Sequence, residues 1–252
     1  MKLGAQFYTL RDNCTTLEGL SESLKRVADI GYTTVQLSGV CSYTPEWISN
    51  ELKKNGLECA LTHWNAEELK NDPIGVLNTH KAFGCNYIGL GCMPGWSTEE
   101  NTYKFIENYK DVAIKLSQNG GKLFYHNHQG EFQRCADGEM IFDKLINAFA
   151  PNELGFTLDT YWVQVGGGDV CHWLEKLKGR VECIHLKDLE MVGTEQRMAP
   201  IGRGSMSFDK IVESAKSAGT KFALVEQDNC YGKDPFECLK RSYEYLKSLG
   251  LN

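Results

Sequence analysis

The sequence predicts a single (β/α)8 barrel over residues 1–252, and three observations lead to it. Short apolar runs of strand length alternate with longer stretches of helical period, eight times along the chain. Strands alternating with helices call for a parallel sheet, and eight such units in 252 residues match a closed barrel of about 250 residues. The last four apolar runs also share one ending: Leu123-Phe124-Tyr125 breaks into His126, residues 155–158 into Asp159, 181–184 into His185, and 222–225 into Glu226. A doubly wound open sheet is the structural alternative, but the turn Arg11-Asp12-Asn13-Cys14 lacks the glycine fingerprint that a dinucleotide fold needs.

Residues 3–10 read as the first strand. Leu17, Leu20, Leu24 and Val27 recur at helical spacing over 16–30, and Gly31 stops that helix. Residues 33–40 form the second strand; Thr44 before Pro45 then opens a helix to Lys54, closed by Asn55-Gly56. The third strand, 57–62, stops at His63-Trp64; a helix over 74–83 ends at Gly84, and 86–90 is the fourth strand. Glu99 and Glu100 behind Ser97-Thr98 start a long helix to Gln118, with Asn119-Gly120-Gly121 as its stop. Strand five is the run before His126, followed by a helix over 139–149 that Pro151 ends. Strand six, 154–158, leads through Asp159-Thr160-Tyr161-Trp162 and the glycines 166–168 to a helix over 169–177. Strand seven covers 181–186, and the stretch 190–207, with Gly193, Pro200, Gly202 and Gly204, is expected to be a functional loop. A helix over 208–218, strand eight over 223–226 and a helix over 235–249 complete the chain.

Hydrophobic residues make up 42% of the chain and charged residues 24%, which suits a globular protein with a sizeable core. The formal charge of −6, from 27 Lys and Arg against 33 Asp and Glu, leaves no basic footprint for nucleic acid or an anionic membrane. A small molecule is the easier partner. The ten cysteines are scattered without a CxxC pair, and some, such as Cys59 and Cys183, lie inside strand-like runs. Reduced thiols in a cytoplasmic protein are therefore expected rather than a disulfide framework. Met1-Lys2 leads straight into LGAQFYTL without the order of a signal peptide, and no apolar run approaches the roughly 18 residues of a membrane span. Barrels often pair through exposed helices, so a homo-oligomer is open.

In a barrel the carboxyl ends of the strands converge on one face, where chemistry is collected. His126, Asp159, His185 and Glu226 end successive strands and so meet there. Mixed imidazole and carboxylate ligands suit Mn, Zn, Co or Fe ions better than Ca, which prefers all-oxygen shells. Glu131, in the loop after His126, is a competing or additional ligand. Each residue alone would more often cap or hydrogen-bond a strand end; four in register point to a metal. His63 ends strand three toward the same mouth, and His128 falls on the face of His126 if the strand continues. Lys187 follows His185 and would hold a sugar hydroxyl or phosphate, or make a plain salt bridge. Trp64, Trp162 and Phe132 offer apolar faces to a sugar ring, with core packing as their ordinary role. Arg203, between Gly202 and Gly204, is a weak phosphate-loop signal.

YHNHQGEF (125–132), LDTYWVQVGG (158–167), HLKD (185–188), PIGRG (200–204) and VEQD (225–228) resemble, in order and spacing, the sugar phosphate isomerase/epimerase family with the xylose-isomerase-like barrel. QFYTLRD (6–12) and SYEYLKSLG (242–250) are similar to it as well, so the resemblance covers nearly the whole chain. It implies one divalent metal at the mouth (Mn, Zn, Co, Fe or Mg), bound by residues from strands five to eight, with Asp159, His185 and Glu226 as ligands. Asp228, the last residue of VEQD, joins the substrate-binding candidates. Ketose epimerases of the wider group have Glu at the end of strand five, whereas this chain has His126 there and Glu131 beyond it. The YHNHxxEF subgroup looks closer to inosose dehydratases and keto-sugar lyases.

The chemistry implied is proton abstraction next to a carbonyl of a sugar or cyclitol through an enediolate, with Glu226, His126, His128 and Glu131 as catalytic candidates. Return of the proton gives an isomerase or epimerase; departure of a β-leaving group gives a dehydratase or lyase. A nuclease on a related barrel would need several metals and more than the six histidines present. A non-catalytic sugar-binding barrel is the remaining alternative.

Overall fold

The structure, a computed structural model, describes residues 1–251; Asn252, the last residue of the expected domain, lies outside the described residues. β1 (Lys2–Gln6), β2 (Thr34–Leu37), β3 (Glu58–His63), β4 (Tyr87–Leu90), β5 (Lys122–His126), β6 (Leu154–Asp159) and β7 (Cys183–Leu186) pair in chain order, all parallel. After β7, β8 (Asp188–Val192) and β9 (Glu195–Ala199) form an antiparallel hairpin apart from the barrel. β10 (Phe222–Val225) then pairs with both β7 and β1 and closes the ring. The fold is the (β/α)8 barrel that the alternating pattern predicts.

The helices are α1 (Leu17–Ile30), α2 (Pro45–Lys54), α3 (Ala66–Asn71), α4 (Pro73–Lys81), α5 (Glu99–Gln118), α6 (Ile141–Ala148), α7 (Thr160–Val165), α8 (Val170–Lys176), α9 (Phe208–Ala218) and α10 (Pro235–Ser248). Their starts follow side-chain chemistry. Thr16, Thr44 and Thr98 accept the N–H groups of Gly19, Trp47 and Asn101 at 3.1, 3.2 and 3.2 Å, which satisfies amides that no helix carbonyl can reach. No helix among the described residues is long and apolar enough to cross a membrane, and all ten cysteines are free.

Side chains alternate across each strand, and this alternation builds the floor of the site. Phe124, Cys183 and Leu224 pack with Ala60 and Leu61 in one apolar cluster. One step further along the same faces stand His126, His185 and Glu226. An apolar plug therefore lies beneath the polar layer. Phe124 requires a glycine beside it, because a Cβ on Gly155 would lie 2.5 Å from its ring. The opposite strand faces, including Val35, Ile88, Leu123, Phe156 and Ile184, form the main core with the helices.

Five stretches differ from expectation; strand two covers only Thr34–Leu37 of the expected 33–40. Strand one ends at Gln6 rather than Leu10, because the Gln6 side chain accepts the Tyr8 N–H and starts a tight helical turn, Phe7–Asn13. α3 is an additional short helix, capped by Asn65 accepting from Glu68 N–H at 3.0 Å. Residues 160–165 continue directly as α7 because Asp159 caps it, accepting the Trp162 N–H at 3.1 Å. The stretch expected as a loop, 190–207, contains most of the β8–β9 hairpin. Gly193, at φ 61°, turns it, and Leu189 and Met198 cluster with Tyr161.

Candidate active site

The four strand-end residues meet. One donor atom from each of His126, Asp159, His185 and Glu226 lies within 4.8 Å of all the others, and all four residues are buried. The strands set this level: Asp159 is in register with His185 across β6 and β7, and Glu226 N–H donates to Leu186 O at 3.1 Å.

Each of the four is anchored by one atom and leaves another facing the group. His126 Nδ1 is 2.8 Å from Gly91 O; a carbonyl only accepts, so Nδ1 carries the hydrogen and Nε2 keeps a lone pair, 3.1 Å from Asp159 Oδ2. By the same argument His185 Nε2–H donates to Gln36 Oε1 at 2.7 Å, which leaves Nδ1 2.9 Å from Glu226 Oε2 and 3.6 Å from Asp159 Oδ2. Glu226 Oε1 accepts from Gln6 Nε2 at 2.8 Å, and Asp159 Oδ1 takes the Trp162 N–H. His185 Nδ1 and Glu226 Oε2 are both buried and neither makes a well-aligned hydrogen bond; they face each other at 2.9 Å. Two imidazole lone pairs and two carboxylate oxygens turned toward one another repel unless a cation or protons lie among them. With both ring orientations set by outer oxygens, the donors fit a divalent ion.

Lys187, only 1% exposed, supplies part of that positive charge. Its Nζ lies 3.1 Å from Asp159 Oδ2, 2.9 Å from Glu226 Oε2 and 2.9 Å from Asp228 Oδ1. Burial alone would raise the Asp159 and Glu226 carboxyls, but the Lys187 ammonium and the neighbouring imidazoles hold both well below the usual carboxylate range. Burial pulls His126 down, helped by His185. Burial also acts against His185, but the facing Glu226 and Asp159 outweigh it and hold that imidazole above its ordinary value. Asp228 goes the other way, pushed up to about 7 by burial and by the Glu226 charge.

A cavity of about 410 Å³ opens on this group, lined among others by Gln6, Ser38, His63, His126, His128, Lys187, Glu226 and Asp228. His63 Nδ1 is 3.0 Å from Ser38 Oγ, and its ring centroid is 5.4 Å from that of His126. β5 ends at His126, yet His128 still lines the cavity, its ring 4.7 Å from His126 and 5.3 Å from Trp162. Burial lowers His128 to about 3, so its ring is uncharged at neutral pH. Trp162 lies beside the group, its ring centroid 5.6 Å from Lys187 Nζ.

Four candidates lie elsewhere; Phe132 packs in the core, its ring 5.6 Å from Phe142 and 5.4 Å from Trp173, and does not line the cavity. Glu131 is fully buried but not among the four: Tyr125 O–H donates to its Oε1, and His128 N–H to its Oε2 at 2.9 Å, so both oxygens are taken. Trp64 lines an adjacent depression with Tyr43, against His80. Arg203 is exposed and does not line the cavity. Gln6 and Gln36, which hold Glu226 and His185, were not anticipated, although each stands as a polar residue in an apolar run, as the four do.

A family model, the xylose isomerase-like TIM barrel, matches residues 24–249, and the chain belongs to that family. Its sequence is 27% identical over 217 residues to an inosose dehydratase of Geobacillus kaustophilus, spanning 74% of this chain and 68% of that enzyme. Among solved structures, a sugar phosphate isomerase/epimerase from Parabacteroides distasonis superposes with a TM-score of 0.83 at 22% identity, covering 98% of this chain and 93% of that one. A probable 3-DHS dehydratase from Bacillus anthracis gives 0.74 at 14%, covering 98% and 99%. At those identities the two structures speak for the fold alone.

Proposed function

We propose that this protein is a divalent-metal-dependent enzyme that removes a carbon-bound proton next to a carbonyl of a keto-sugar or cyclitol, with loss of a β-hydroxyl as the outcome. The anchored donor set carries this reading: two imidazoles and two carboxylates, each fixed by one outer hydrogen bond, turn their remaining atoms to one point. A divalent ion there would supply Lewis acidity to the carbonyl and to the developing enediolate charge.

The other tasks fall to side chains around the cavity. Lys187 keeps Asp159 and Glu226 ionised and adds a fixed positive charge to the wall. His128 lines the cavity and has a buried Nδ1 without a partner, which places it to take the carbon-bound proton. Asp228, titrating near 7 beside Lys187, is suited to return a proton to the departing hydroxyl.

Dehydration is preferred to epimerisation because β5 ends in His126. Ketose epimerases resembled by this chain place a carboxylate there, giving two metal-bound carboxylates that pass a proton from face to face. The relationship to inosose dehydratases supports the same choice. Incubation with inososes and ketoses in D₂O with Mn, Co or Zn tests it. Expected are metal-dependent deuterium exchange and water loss from an inosose, both abolished in Glu226→Gln, with His128→Asn losing exchange while binding metal normally. Absence of exchange into every compound with every metal refutes the proposal.

A further inference from the structure

Barrels of this kind commonly hold phosphate in the loops after their seventh and eighth strands. Here the Gly202-Arg203-Gly204 turn lies after β9, and its amides already face an anion. Asp188, fully buried and next in the chain to Lys187, receives the Gly202 and Gly204 N–H groups on Oδ2, each at 2.9 Å. Its Oδ1 receives Leu189 N–H at 2.8 Å and Met206 N–H at 3.3 Å. Converging backbone amides of this sort are how protein nests bind phosphate oxygens. A Cβ on Gly204 would lie 2.4 Å from Asp188 Oδ1, so the turn closes on the carboxylate without space for a second anion.

Of the two cations at the cavity, Lys187 is equally committed and Arg11 is held by a ring and one carbonyl. Lys187 is shared by Asp159, Glu226 and Asp228. Arg11 lies over the Tyr8 ring, 4.4 Å from its centroid, and donates to Tyr8 O at 2.8 Å. Facing them on the lining are the carboxylates of Glu226 and Asp228. A dianionic ester would meet those charges with the single Arg11 guanidinium, rather than a converging donor cluster, to receive it.

We propose that the Asp188 carboxylate fills the anion nest of this barrel, so that the cavity takes an unphosphorylated keto-sugar or cyclitol and rejects its phosphate ester. The substrate part rests on the proton-abstraction reading; the filled nest does not. Thermal unfolding of the full chain, titrated with inorganic phosphate at constant ionic strength, tests the nest. The wild type is expected to show no saturable stabilisation, whereas Asp188→Ala melts lower and regains stability as phosphate occupies the opened nest. Saturable phosphate binding by the wild type, or a folded Asp188→Ala that phosphate leaves unchanged, overturns the proposal. Should Asp188→Ala fail to fold, the wild-type titration still decides. In the second arm an inosose or ketose and its phosphate ester are compared in kcat/KM, with at least a tenfold preference for the unphosphorylated compound expected; parity or the reverse overturns it. If neither compound exchanges a proton, the proton-abstraction reading fails, and the phosphate titration alone decides the nest.

Discussion

Gln36→Leu removes the oxygen that orients His185 while keeping nearly the same volume. In the wild type Gln36 Oε1 accepts from His185 Nε2–H at 2.7 Å, and both residues are fully buried. Without that acceptor the buried N–H has no partner, which costs the fold about 1–3 kcal/mol. The imidazole also loses the constraint that turns Nδ1 toward Asp159 and Glu226. Outer partners of this kind typically govern metal affinity by about 10–100-fold, or roughly 1.4–2.7 kcal/mol. Competition with a chromophoric chelator for Zn or Co measures the affinity, and thermal unfolding of the metal-free protein measures the stability. Gln36→Glu restores an acceptor and is expected to recover the affinity. A folded Gln36→Leu variant with wild-type affinity would refute the assignment of His185 as a ligand held by Gln36.

Glu131→Gln weakens the contacts with Tyr125 O–H and His128 N–H, so it should lower stability by about 1–3 kcal/mol while metal affinity in the same competition assay stays near wild type. His80, between Thr62 Oγ1 and Val76 O, is lowered by burial from 6.5 to about 4. The unfolded chain therefore takes up a proton that the folded one refuses, and stability is complete above pH 6.5 and declines as pH falls toward 4. That fall corresponds to about 3 kcal/mol, and His80→Gln should flatten urea-denaturation stability across this window. Gly155→Ala forces a methyl against the Phe124 ring and should cost about 1–3 kcal/mol in urea unfolding, with the barrel retained by circular dichroism.

The barrel was legible because strands buried on both faces read as unbroken apolar runs between helices of a different period, as at Leu123-Phe124-Tyr125 and α5. Their polar terminators were legible for the same reason: a charge after such a run must stand at the strand end. That Glu131 stands apart from the four was not legible, since it follows from Tyr125 O–H and His128 N–H closing on its oxygens. Neither contact has a sequence signal. Gln6 ends β1 and Gln36 stands one residue before the end of β2, but both bear amides, which pass for ordinary polar residues until their distant partners are seen. The β8–β9 hairpin escaped because its glycines and proline suggest an irregular loop, and only packing of Leu189 and Met198 with Tyr161 shows the strands.

Gln6 ends β1 and Glu226 follows β10, the two strands whose pairing closes the barrel, and their hydrogen bond joins residues 220 positions apart. Gln36 and His185 are joined across 149 positions. The donors lie from β5 onward, but the orientation of three of them, all but Asp159, is set by β1, β2 and Gly91. A fragment beginning at β5 would carry all four donors and still lack the site. An ion that binds only the assembled donors stabilises the closed ring by mass action, in proportion to RT ln(1 + [L]/Kd). Loading should therefore slow amide exchange in β1 and β10 together, so that the two extremes of the chain respond as one cooperative unit.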